Sequence, residues 1–176
     1  MKTSIALIGF MGVGKTAVGK ALAKKLDKEF IELDALIEQQ AGKSIPEIFQ
    51  QDGEVAFREL EIEVTKEVSK KKKLVIACGG GIVLNKINID RLRNESTIVY
   101  LTASAKMILE RVSGGSGERP LLKAGNRDLK IEELLRFRKP FYERAADIKI
   151  DTAKLDIAAV AEQVIMKLKE DEGFNF

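Results

Sequence analysis

Five short apolar runs, each bounded by glycine or charge, alternate along this chain with longer stretches whose apolar residues recur three and four positions apart. The runs Ser4–Ile8, Glu29–Leu33, Leu74–Cys78, Thr97–Leu101 and Asp147–Ile150 predict strands. The stretches Lys15–Leu26, Ala35–Ala41, Glu54–Ser69, Ala105–Val112, Ile131–Ala145 and Ile157–Lys169 predict helices with charged outer faces. Strands covered on both sides by crossover helices define an α/β layer fold with a mostly parallel sheet. No repeat, low-complexity stretch or Pro- or Ser-rich linker divides residues 1–176, so a single domain is expected. The one long segment without apolar periodicity, Ser113–Asn126 (SGGSGERPLLKAGN), is rich in glycine and charge and reads as a flap or lid.

Composition narrows the chemistry. Hydrophobic residues at 45% and charged residues at 32% describe a globular chain rather than a disordered one. Cys78 is the sole cysteine, which excludes an internal disulfide and a multi-thiolate zinc site, and histidine, the commonest general base, is absent. Carboxylates, lysines, arginines and backbone amides must therefore carry any reaction. A net charge of +3 gives no reason to expect a nucleic-acid partner, and Lys70–Lys73 reads as a solvated helix end. No apolar run approaches the roughly 20 residues of a membrane span, and MKTSIALIGF is too short for a signal peptide. A cytoplasmic monomer without a membrane partner is the expectation.

Directly after the first predicted strand comes GFMGVGKT, in which Gly9, Gly14, Lys15 and Thr16 satisfy GxxxxGK[ST] at a strand-to-helix junction. Glycines let the backbone curl until its N–H groups point inward at phosphate oxygens, and the following helix adds the positive end of its dipole. Lys15 would reach the β- and γ-phosphates of a nucleoside triphosphate, with the Thr16 hydroxyl on Mg²⁺. This cradle alone does not separate kinases from ATPases, GTPases or motor domains.

The second run ends in FIELD, placing Glu32 and Asp34 two residues apart, on one face of the strand near its carboxyl end, the edge where open α/β sheets bind ligands. One carboxylate could serve the metal's hydration shell and the other an attacking hydroxyl; two solvated acids opening the next helix would read the same. Arg58, Arg119 and Arg138 offer planar forks that match carboxylate or phosphate oxygens two at a time, although each by itself could be a surface residue. Gly79, Gly80 and Gly81 follow the third strand, where close approach of a ligand to the main chain competes with a tight turn as the reason for three glycines.

Taken in order, GFMGVGKT, the strand-end LD with Asp34, GKSIPEIFQQDGEVAFRELE, the glycines at 79–81, RPLL beginning at Arg119 and RKPFYERAAD beginning at Arg138 resemble the shikimate kinase family across essentially the whole chain. The resemblance implies a P-loop three-layer sandwich with a five-stranded parallel sheet in the order 2-3-1-4-5. It also implies an acceptor-binding subdomain at about 33–64 and a lid at about 113–126. It further implies transfer of the γ-phosphoryl of ATP to the 3-hydroxyl of shikimate with Mg²⁺. Lys15, Asp34 and Arg119 would then be catalytic, with Gly12, Val13, Gly14, Lys15, Thr16, Ala17, Arg111 and Arg119 on the nucleotide.

On the acceptor side the resemblance sets Asp34 against the reacting hydroxyl and Arg58 and Arg138 on the shikimate carboxylate. It adds Gly79, Gly80 and Gly81 through the main chain, Phe49 and Phe57 as lining and Glu61 as the residue that orients Arg58. The family usually has Asp at Glu32, which reaches Mg²⁺ through water, and Ser or Thr at Ala77, so the metal's surroundings differ here. The competing functions are a gluconate or nucleoside monophosphate kinase, which share the cradle, and a non-catalytic binding module.

Overall fold

The structure, a computed structural model, describes residues 1–113 and 127–176. Its centre is β1 (Ser4–Ile8), every residue of which is fully buried, as a strand flanked by neighbours on both edges and helices on both faces requires. Ser4 meets that burial because its hydroxyl accepts the Leu74 amide at 3.0 Å. Around it stand β2 (Glu29–Glu32), β3 (Leu74–Ala77), β4 (Ser96–Thr102) and β5 (Ile148–Asp151), all parallel, in the order β2-β3-β1-β4-β5. The register sets Ala6 between Ile76 and Ile98, and the core builds outward from Ile5, Leu7, Leu22, Ile76 and Leu101. Burying one such aliphatic side chain contributes roughly 1.5–3 kcal/mol.

The helices are α1 (Lys15–Leu26), α2 (Leu33–Ala41), α3 (Ile45–Gln51), α4 (Gly53–Val68), α5 (Lys86–Glu95), α6 (Ala105–Ser113), α7 (Arg127–Ala145) and α8 (Ile157–Lys169). Helix α1 packs on α8 and α4 on α5, so helices flank the sheet, while α2, α3 and α4 pack on one another. The three form a small lobe beyond the carboxyl end of β2.

Three local differences from the sequence reading have physical causes. Helix α3 begins at Ser44, whose hydroxyl accepts from the Glu47 amide while the Glu47 carboxylate accepts from the Ser44 amide at 2.8 Å. That reciprocal cap, with a proline in the first turn, sustains a seven-residue helix too short for apolar periodicity to mark. Helix α5 escapes the same test because it buries only Asn88, Ile89 and Leu92 among charged neighbours. Leu33 opens α2 rather than closing β2, so Glu32 and Asp34 do not share a strand face; they flank a strand-to-helix corner. Residues 114–126, with Arg119 and nearly all of the expected lid, lie outside the described residues. Among those described, no helix is long and apolar enough to cross a membrane.

Candidate active site

Parallel strands present all their carboxyl ends at one edge, and there a cleft of about 690 Å³ opens between the loop after β1 and the α2–α4 lobe. The loop takes its shape from glycine. Gly9 has φ +149°, and a Cβ there would stand 2.5 Å from the Leu101 carbonyl, so no side chain fits where β1 leaves β4. Gly14 adopts a left-handed conformation (φ +98°) at the N-cap of α1, with no side chain capping the helix and no acid in its first turn. The N-terminus of α1 thus offers an anion the positive end of the helix dipole.

Lys15 folds back across this loop, donating to the carbonyls of Gly9 at 2.8 Å and Phe10 at 3.0 Å. The Thr16 hydroxyl donates to Glu32 at 2.6 Å, which joins α1 to the end of β2. A hydroxyl and a carboxylate side by side suit a hard cation such as Mg²⁺, which takes most of its ligands from phosphates and water. No cluster of three or more acidic, cysteine or histidine residues that could hold a metal ion occurs among the described residues. Gly12, Gly14 and Ala17 line the same cleft, whereas Val13 turns into the core, 3% exposed. Arg111 lies outside the cleft and braces the loop, its Nη1 3.3 Å from the Gly12 carbonyl, 3.5 Å from that of Val13 and 3.4 Å from the Thr152 hydroxyl.

Opposite the loop, Asp34 projects from the first turn of α2 and Glu61 from α4. Both converge on Gly79. A Cβ at that position would lie 2.8 Å from Asp34 Oδ1 and 3.3 Å from Glu61 Oε2, and neither oxygen has a hydrogen-bond partner among the described residues. Burial raises the Asp34 carboxyl above its ordinary range; nearby Lys15 opposes this, while Glu32 and Glu38 add to it. Burial likewise raises Glu61, with Arg58 in opposition. Arg58 donates to Glu61 at 3.1 Å and to Glu54 at 3.2 Å, lies 5.1 Å from the Phe57 ring and shares α4 with both acids. Arg138, on α7, is 3% exposed, sits 5.9 Å from the Phe10 ring and, among the described residues, has no hydrogen-bond partner for Nε. Phe49 and Phe57 pack at 4.8 Å as an apolar wall.

The three glycines at 79–81 have a reason that the sequence reading did not contain. None has a positive φ, so backbone freedom is not what they supply. They supply room: Gly79 for Asp34 and Glu61, and Gly81 for Arg58, whose guanidinium nitrogens would be 2.5 Å from a Cβ. The sequence reading also missed Phe10 beneath Arg138 and Glu38, which lines the cleft one helical turn beyond Asp34 and accepts the Ile45 amide at 2.9 Å. The spacing of Glu38 from Asp34, four residues on one helix, was the available signal. Cys78 also lines the cleft; burial pushes its thiol up, which leaves it unreactive.

Against known proteins, the family model described as shikimate kinase matches residues 11–169. A shikimate kinase from Thermodesulfovibrio yellowstonii is 47% identical over 162 residues, covering 92% of each chain. The structure of a shikimate kinase from Acinetobacter baumannii in complex with shikimate superposes with a TM-score of 0.92 at 35% identity, covering 98% of this chain and 96% of that one. A gluconokinase from Sinorhizobium meliloti, 19% identical with a TM-score of 0.58 over 96% of this chain and 94% of its own, shares the fold alone.

Proposed function

This chain belongs to the shikimate kinase family, and from that premise we propose that it transfers the γ-phosphoryl group of ATP to the 3-hydroxyl of shikimate, giving ADP and shikimate 3-phosphate. The observation that carries the reading is the convergence of Arg58, Arg138 and Asp34 on the cleft that also holds Lys15 and Thr16. Two guanidinium groups suit an acceptor bearing a carboxylate, and a carboxylate between them and the phosphate cradle suits its hydroxyl.

In this reading the α1 amides and Lys15 receive the β- and γ-phosphates, with Lys15 exchanging the carbonyls of Gly9 and Phe10 for phosphate oxygens. Thr16 and Glu32 would hold Mg²⁺ on the nucleotide, where a bound cation neutralises charge on the phosphoryl oxygens. Arg58 and Arg138 clamp the shikimate carboxylate, with Phe49 and Phe57 against the ring. Asp34 accepts a hydrogen bond from the 3-hydroxyl and aims it. The hydroxyl oxygen then bonds to the γ-phosphorus as the bond to the bridging oxygen breaks, and ADP leaves with that electron pair. Because the transition state is loose, the hydroxyl proton passes to Asp34 late, and orientation is the main task of this residue. The family resemblance implies Arg119 for the transferred group, and α2–α4 would serve as the acceptor-binding subdomain.

The test is a panel of acceptors offered with MgATP: shikimate, gluconate and nucleoside monophosphates. Turnover confined to shikimate supports the reading. Turnover on gluconate or a monophosphate with none on shikimate overturns it.

A further inference from the structure

Gly80 and Gly81 line the cleft beside Arg58 and Arg138. Gly81 is buried, and among the described residues no hydrogen bond engages its amide. A buried N–H without a partner is rare in a folded chain, and at the wall of a cleft it marks a donor for the ligand. The same peptide unit has a second polar end, the Gly80 carbonyl, and that end is not free. It accepts a hydrogen bond from the hydroxyl of Tyr142.

Tyr142 follows Arg138 by four residues on α7, so both project from one face of that helix. It is fully buried, and its ring stacks on Tyr100 with centroids 5.0 Å apart and planes at 21°. Stacking alone would be met equally by phenylalanine. The hydroxyl needs another reason, and its acceptor is the peptide unit whose other end is the Gly81 amide. Gly80 is also the point where Arg138 and the phosphate loop meet, since a Cβ there would lie 3.5 Å from Arg138 Nη1 and 3.6 Å from the Met11 amide.

We propose that Tyr142 is a positioning residue for the acceptor. Its hydroxyl fixes the plane of the Gly80–Gly81 peptide and polarises it, so that the Gly81 N–H and Arg138 together receive the acceptor's carboxylate. Donation to a carbonyl strengthens the N–H of the same peptide as a donor, the cooperative effect seen along chains of hydrogen bonds. Burial pushes the phenol well above its usual range, with Arg138 in opposition, so Tyr142 stays a donor throughout the range in which the enzyme works. The inference rests on the shikimate kinase reading and adds to it a residue that never touches the substrate.

Tyr142→Phe keeps the stacked ring and removes only the hydroxyl. The expected result is a KM for shikimate raised about tenfold, a kcat within about twofold of wild type and an unchanged KM for ATP, because only ground-state binding of the carboxylate is lost. An acceptor analogue with the carboxylate replaced by a hydroxymethyl group separates this role from a structural one, since wild type and variant should then have equal kcat/KM. An unchanged KM for shikimate, or equal losses on both acceptors, overturns the proposal. Should the variant fail to fold, wild-type protein labelled with ¹⁵N-glycine decides: the Gly81 amide proton should move downfield when shikimate binds, and a Gly81 signal indifferent to shikimate overturns the proposal. Wild type that neither binds nor phosphorylates shikimate removes the underlying reading as well, whereas active wild type with an indifferent variant removes this inference alone.

Discussion

Arg58 occupies the space that Gly81 leaves empty, with both terminal nitrogens of its guanidinium 2.5 Å from where a Cβ would stand. The obstacle to a larger residue is the end of a long side chain rather than backbone, so the fold can yield while the site cannot. Gly81→Ala should therefore melt close to wild type yet raise the KM for shikimate at least about tenfold, as Arg58 swings away from the clamp. A thermal melt and a shikimate titration on the same preparation check both halves.

Asp34 sets up a different pattern. Alanine takes away both the carboxylate that aims the hydroxyl and the group that finally takes its proton. Asp34→Ala should lower kcat by roughly 10²–10⁴, the range for a lost orienting and acid–base group, while calorimetry finds MgADP binding unchanged. Turnover within a few fold of wild type would remove Asp34 from the reaction.

Glu61 is 1% exposed, and its carboxyl is raised above the ordinary value of 4.5 chiefly by burial. A carboxyl raised in the folded state binds its proton more tightly there, so its contribution to stability is fully present below about 4.5, the unfolded value, and is lost as pH rises through the folded value. Glu61→Gln never ionises and escapes that loss. In chemical denaturation of the ligand-free protein the variant should gain on wild type as pH rises from 4 toward neutrality and then hold a constant margin. A margin independent of pH would contradict the assignment. The same variant loosens Arg58, so stability and shikimate affinity should move in opposite directions.

The hydrogen bond from Thr16 to Glu32 ties the metal-facing end of the phosphate cradle to β2. Glu32→Ala should leave the metal-free affinity for ADP nearly unchanged and raise by about tenfold the Mg²⁺ concentration that strengthens nucleotide binding. Nucleotide titrations at fixed Mg²⁺ levels read this without any turnover.

How much of this was legible in the sequence varies with the kind of physics involved. The strands β1, β3 and β4 could be read because each is built on a continuous apolar run, β2 and β5 because short apolar positions stand between charges, and the phosphate cradle because its glycines and Lys15 sit at a fixed offset from β1. Helix α5 could not, since three buried positions among charges give no period. The corner at Leu33 was hidden because an apolar residue fits the end of a strand as well as the start of a helix, and only the packing of α2 decides. The roles of Gly79 and Gly81 were illegible for a deeper reason: what they accommodate, Asp34, Glu61 and Arg58, arrives from 18 to 45 residues earlier in the chain. Tyr142 was hidden in the same way, its partner at Gly80 being 62 residues away.

The claim on which the rest depends is that one cleft holds a nucleotide's phosphates and a carboxylated alcohol in line. Phosphorus NMR of the purified protein with MgATP and shikimate tests it most directly. The account predicts a new phosphate monoester growing in equal amount with ADP, and neither appearing when shikimate is withheld. ADP accompanied by inorganic phosphate in place of the ester, or no ADP dependent on shikimate, would contradict it.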